Sequence, residues 1–151
     1  MVGNRPETIA DDLLLLFPIF RKRLMKGAGK SLGRKKPSSH ECPVLGMLIA
    51  RGPLPMSEVG ERLCISKPNV TAVVDKLVRE GKVDRHSDES DRRIVNISVT
   101  DKGRRFMHDY KKTMREVFKA NLSQLGDKDL NRLCAALEDM KSILSKINED
   151  S

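Results

Sequence analysis

The apolar positions of this chain fall into helix-spaced and strand-spaced groups, divided by Gly, Pro and polar punctuation. Ile9, Leu13, Leu16, Phe20 and Leu24 form one stripe and predict a helix over residues 8–25. Thr8 is the expected N-cap, with Asp11 and Asp12 in the first turns, where the helix dipole favours acids. Leu14, Leu15 and Phe17 widen the stripe, so burial on more than one side is expected. Pro18 should kink this helix or end its first piece. Residues 26–36 read as a Gly-containing linker closed by Pro37. Ser39 is the expected cap of a helix reaching about Ala50, with Val44, Leu45 and Leu48 turned inward. Gly52, Pro53 and Pro55 mark a turn.

Two short helical patterns follow, over residues 56–63 and 67–80, the second behind the N-cap Ser66. In the second, Val70, Val73, Val74 and Leu77 share one side. Gly81 stops it. A strand-like stretch over residues 82–86, a polar loop over 87–91 and the period-two residues Val95, Ile97 and Val99 make a two-stranded hairpin pattern with a long loop. A long helix then runs from a Thr100 cap to about Leu125, with Phe106, Tyr110, Met114, Val117 and Phe118 on one face. After Gly126, Leu130, Leu133, Leu137, Met140, Leu144 and Ile147 alternate steps of three and four, a heptad seam that expects a partner helix.

Charge narrows the function. The 151 residues include 29 Lys and Arg against 21 Asp and Glu, a net +8, and this excess points to an anionic partner. There is no Trp, one Tyr and four Phe, which argues against recognition of single strands by aromatic stacking. The longest apolar run, Leu13 to Phe17, is far short of the ~20 residues of a membrane span. Acids at Glu7, Asp11 and Asp12 argue against a secretory leader. Cys42, Cys64 and Cys134 are widely spaced, with no CxxC pair, which fits a reducing cytoplasm.

Helix, turn, helix and hairpin is the layout of a winged helix-turn-helix, whose second helix needs a polar outer face to enter a major groove. Here that face offers Ser66, Lys67, Asn69, Thr71, Ala72, Asp75 and Lys76. The run from Asp91 and Arg93 through the alternating Val95, Ile97 and Val99 to Thr100 and Gly103 resembles the wing signature of MarR-type regulators. Ser66 to Thr71, Asp75 to Leu77 and Glu80 to Val83 resemble that family's recognition helix and its exit.

The resemblance implies a mostly α fold with a small β-hairpin wing. A winged helix-turn-helix over residues 37–103 would lie between an N-terminal dimerisation helix with basic linker (1–36) and C-terminal dimerisation helices (104–151). It implies a cytoplasmic homodimer that binds a roughly palindromic double-stranded operator as a transcription regulator, a repressor released by a small-molecule effector. By position, Arg93 would be the minor-groove residue and Asp91 its orienting partner. A short carboxylate can fix a guanidinium fork, and a narrow minor groove attracts Arg. Asn69, Thr71 and Ala72 suit base edges, since Asn pairs with adenine and Thr and Ala touch a thymine methyl. Lys67, Lys76, Arg79 and Arg85 are phosphate-contact candidates and equally ordinary solvated cations. The chain departs from the family at Gly60, where Ala is preferred, and at Cys64, where a turn Gly is usual.

Other readings stay open at this stage. Cys42 beside His40, near a helix start, is a candidate redox or effector site, giving a thiol-sensing regulator of the same fold. A small buried residue is the plainer role for Cys42, and more so for Cys134. A non-specific basic DNA-binding adaptor or nucleoid protein is a further alternative. Gly27 to Ser31 lacks the first Gly of a phosphate loop. His40, Glu41, Cys42, His108 and Asp109 include metal-ligand types, but no His pair has i, i+4 spacing, so neither metal nor cofactor is expected. No nucleophile motif supports an enzyme.

Overall fold

A computed structural model describes residues 5–147, apart from the side chain of Lys35. The elements run α1 (Arg5–Leu24), α2 (Ala28–Leu32), a 3-10 turn (Gly33–Lys35), α3 (Glu41–Arg51), β1 (Leu54–Pro55), α4 (Met56–Arg62), α5 (Lys67–Arg79), β2 (Val83–Ser87), β3 (Val95–Val99), α6 (Asp101–Leu122) and α7 (Asp127–Leu144). The chain divides into two compact units, one of Gly29–Thr113 and the other of Met1–Ala28 with Met114–Ser151.

The Gly29–Thr113 unit closes on one apolar core. Val44, Leu45 and Leu48 of α3 meet Val59 of α4, the Val70, Val73, Val74 and Leu77 stripe of α5, Val83, Ile97 and Met107. The stripe is continuous because residues three and four apart share a helix face. α4 and α5 approach closely at Gly60, where a Cβ would stand 3.0 Å from Val70 Cγ2 and 3.3 Å from the Ile65 carbonyl oxygen. The turn between them puts Cys64 at φ +51°, the left-handed region that favours Gly.

The hairpin pairs Val83 with Val99 and Arg85 with Ile97. A third strand, β1, adds to it through Leu54 opposite Ile97, giving the antiparallel order β1-β3-β2. Two residues are too few to show a period, and Pro55 is tolerated because β1 lies at the sheet edge. Thr100 anchors the exit of the sheet. Its hydroxyl donates to the Gly81 carbonyl at 2.7 Å and accepts from the Gly103 amide at 3.1 Å, capping α6. Gly103 is required here, since a Cβ would lie 2.2 Å from the Lys82 carbonyl oxygen.

Local corrections have simple causes. Ser39 does not cap α3. His40 holds the cap position, and Glu41 reaches back to accept the Ser38 amide at 2.9 Å. Ser66 is the N-cap of α5 by position, but its side chain makes no capping hydrogen bond. The stretch 26–36 is not an open linker: after Gly27 at φ +86° it winds into α2 and the 3-10 turn.

In the other unit, α1 starts at Arg5, so Thr8 lies inside the helix and not at its cap. The helix also passes through Pro18, at the loss of one backbone hydrogen bond. Phe20 packs edge-on to Phe118 with ring centroids 6.0 Å apart. Asn121 Nδ2 closes the end of α1, donating to the carbonyls of Leu24 at 2.9 Å and Lys26 at 3.0 Å. The expected burial of α1 is not found within one chain. No residue of α1 or α7 is buried, and Leu14 and Phe17 are 71% and 77% exposed. Cys134, expected as a small buried residue, is exposed as well.

Candidate nucleic-acid interface

α5 presents the predicted face. Ser66, Lys67, Asn69 and Ala72 are exposed, and Thr71 is half-buried with its hydroxyl donating to the Lys67 carbonyl at 3.0 Å. Pro68 sits in the first turn, where its missing N–H costs nothing, and no side chain caps that end. The start of α5 is therefore an uncapped, electropositive helix end.

The cations around this face differ in availability. Lys76 is engaged inward: its ammonium bonds Oε1 of the buried Glu41. Lys82 lies 3.7 Å from the other Glu41 oxygen, 2.5 Å from Glu80 Oε2 and 3.6 Å above the Phe106 ring centroid, a cation–π contact. Burial alone raises the Glu41 pKa, but the hydrogen bond and charge of Lys76 and the Ser38 groups outweigh it and hold the carboxyl below its ordinary value. Arg85, on β2, is tied to Asp75 on α5 at 2.5 Å. Lys67 and Arg79 are exposed.

The wing loop is built by two aspartates. Asp91 grips Arg93 through both carboxylate oxygens, Nε to Oδ1 and Nη2 to Oδ2 each at 3.0 Å, and its Oδ1 also accepts the Arg93 amide at 3.0 Å. The Arg93 side chain remains 91% exposed. Hydrogen bonds from Arg93 hold the Asp91 pKa below the usual carboxylate range, and the same pairing raises that of the guanidinium. Asp88 accepts from the Ser90 hydroxyl and amide, the Asn96 amide group and the Asp91 amide, which brings its pKa down to about 2. Asp88 was not anticipated from sequence, although Asp followed two residues later by Ser is the spacing of an Asx turn.

A groove of about 760 Å³ brings part of the predicted set together. Ser66 and Lys67 at the start of α5 and Arg93 on the wing line it, over a floor that includes Met56, Ile65 and Val95. His40 and Cys42 lie apart from these residues at the start of α3. Cys42 is half-buried, and burial pushes its thiol up, against a smaller opposing effect of Tyr110. That is opposite to the activation a helix start can give a thiol. Among the described residues no three His, Cys, Asp or Glu side chains converge on a metal-sized site.

The sequence model of the MarR family matches residues 39–95, which span α3, the helix-turn-helix and the wing loop. The likeness to the MarR family is carried by this segment of 57 residues. Among relatives, the uncharacterised HTH-type transcriptional regulator YkoM of Bacillus subtilis is 42% identical over 67 residues, 44% of each chain. In that match the chain spans less than half the length of its relative. The solved transcriptional regulator BldR of Sulfolobus solfataricus is 26% identical, with a TM-score of 0.67 over 95% of this chain and 99% of its own. A mutant of MepR from S. aureus, solved bound to an oligodeoxyribonucleotide, is 23% identical with a TM-score of 0.62, covering 87% and 97% of the two chains. The mostly helical architecture with a small three-stranded antiparallel sheet is the MarR winged helix-turn-helix fold.

Proposed function

We propose that this chain is a sequence-specific regulator of transcription that binds double-stranded DNA as a homodimer. The observation that carries the reading is Arg93: a guanidinium fully presented to solvent, yet fixed in direction by the Asp91 fork. A fixed, exposed Arg at a wing tip suits insertion into a narrow minor groove. The exposed α5 face with Asn69 and Ala72 suits base edges in the major groove. The oligodeoxyribonucleotide bound by the MepR mutant, a protein of the same fold, agrees with this use of the surface.

Dimerisation is supported by α1 and α7, which leave Leu14, Phe17, Ile143 and Leu144 more than half exposed within one chain. Two reading heads related by a two-fold axis would take successive major grooves of a roughly palindromic operator. We assign repression to this binding and release to a small molecule, which must bind the two spacings of the heads unequally to act.

The test is selection of bound fragments from genomic DNA by the purified protein. Enrichment of a short, two-fold-related motif is expected, with at least ~10³-fold preference over random duplex at physiological salt. Uniform recovery of fragments would make the protein a non-specific binder. Screening small molecules against the selected fragment then tests release.

A further inference from the structure

The charges of this chain separate attraction to DNA from reading it. Residues 66–99, which contain α5 and both strands of the wing, carry seven basic and six acidic side chains. Four of the seven bases are held by carboxylates: Lys76 by Glu41, Lys82 by Glu80, Arg85 by Asp75 and Arg93 by Asp91. The reading head is thus close to neutral. Residues 21–36 carry eight basic side chains and no acid, a charge equal to the net +8 of the whole chain. The seven of these whose side chains are described are all exposed, and none forms an ion pair with a described residue.

We propose that residues 21–36 are a backbone-binding segment that takes the phosphates of double-stranded DNA without regard to sequence. The proposal rests on the DNA-binding reading above and adds the source of its affinity. Binding to duplex phosphates gains chiefly from counterion release, which scales with the number of cations free to neutralise them. Cations already held by carboxylates add little to that number. Within its own unit each part of the segment is ordered, the last turn of α1 in one and most of α2 with the 3-10 turn in the other, so less chain entropy is lost where each docks. Two other partners fit less well. The segment has no aromatic residue for stacking on single strands. Its larger apolar residues, Leu24, Met25 and Leu32, are half-buried and Ala28 is buried, so it offers no apolar face for insertion into an anionic bilayer.

The experiment compares the wild-type chain with a variant carrying Arg21→Gln, Lys26→Gln, Lys30→Gln and Arg34→Gln. A control removes the same charge from α6 with Arg104→Gln, Arg105→Gln, Lys111→Gln and Lys112→Gln. Binding to random duplex and to a fragment selected by the wild type is titrated across salt. In the first variant the slope of log K against log salt becomes shallower by about 0.9 for each phosphate no longer neutralised, up to about 3.6. Affinity falls by the same factor for both DNAs, so the preference between them is kept. Lys26→Arg with Lys30→Arg retains the wild-type slope, and circular dichroism confirms that each variant is folded. An unchanged slope beside a preserved preference overturns the proposal and leaves the DNA reading standing. An equal loss in the α6 control overturns it as well, because net charge and not this segment is then responsible. So does a variant that binds DNA normally but no longer binds phosphatidylserine vesicles that the wild type does bind. No binding of any duplex by the wild type overturns both readings.

Discussion

Glu41, 1% exposed, holds the ammonium of Lys76 across the interface between α3 and α5. The pair joins α3 to α5, the helix proposed to read DNA. A buried carboxylate that loses its partner keeps its desolvation cost without the compensating bond. Lys76 meets solvent on one side and Lys82 stays 3.7 Å from the carboxylate, so the loss is smaller than for an enclosed pair. Lys76→Met is expected to cost about 1–3 kcal/mol in urea unfolding. Glu41→Gln in the same background should restore part of it, and strict additivity of the two changes would show the pair to be uncoupled.

The same carboxylate gives a pH dependence. Its folded pKa lies below the ordinary value near 4.5, so its contribution to stability is fully present above that value. It is lost as the pH falls through the folded value. Asp88, with a folded pKa of about 2 against an ordinary 3.8, behaves alike, and its protonation releases the wing loop. Unfolding midpoints should therefore drop below about pH 4.5, and Glu41→Gln should flatten the upper part of that fall. An identical acid profile in Glu41→Gln would remove Glu41 from the account.

The wing carries a more specific expectation. Arg93→Ala should weaken binding to a selected operator by about 1–3 kcal/mol, roughly 5- to 150-fold, with the unfolding midpoint unchanged. Asp91→Asn keeps the arginine but loses the charged fork, and should fall between wild type and Arg93→Ala. Operator titrations at fixed salt measure both. Equal affinity for Arg93→Ala and wild type would show that the wing does not touch DNA.

The elements of the reading head were legible because each is written in a strong local signal. The valine stripe of α5, the Gly81 stop and the Thr100 to Gly103 spacing all depend on residues within a few positions of one another. What was not legible depends on distant residues. β1 exists only because β3 offers it a partner. The inward engagement of Lys76 depends on a carboxylate 35 positions away, and Arg85 is tied to Asp75 by the packing of β2 against α5. For α1 the widened apolar stripe was read as burial, yet no residue of the helix is buried within one chain.

Cys64 tests the strain in the turn. An L-residue in the left-handed region costs about 1–2 kcal/mol, whereas Gly there costs only the extra freedom of the unfolded chain, about 0.4–1 kcal/mol. Cys64 is exposed, so little packing is lost on its removal. Cys64→Gly should raise stability by about 0.5–1 kcal/mol in denaturant unfolding. Gly103→Ala should do the reverse, because its methyl would collide with the Lys82 carbonyl and push α6 off the sheet. A Cys64→Gly protein no more stable than wild type would mean that the turn relaxes its strain elsewhere.

The exposed apolar faces of α1 and α7 carry the proposal of a dimer. Leu137 and Leu144 lie on the seam of α7 and are about half exposed, Ile147 beyond it is 64% exposed, and Leu14 and Phe17 of α1 are more exposed still. Isolated exposed apolar residues need no partner, but contiguous ones along two helices of the same unit do. Burying a Leu side chain contributes about 1.5–3 kcal/mol, and two copies of each are covered in a symmetric interface. Leu137→Asp or Leu144→Asp places a charge in that apolar contact and should shift the protein from dimer to monomer in sedimentation equilibrium. The reading head has its own core around Leu45, Leu77 and Ile97, so its folding should survive the change. Operator affinity should fall steeply in the same variants, because a monomer engages one half-site where a dimer engages two. A Leu144→Asp protein that still sediments as a dimer would place the interface elsewhere than on α7.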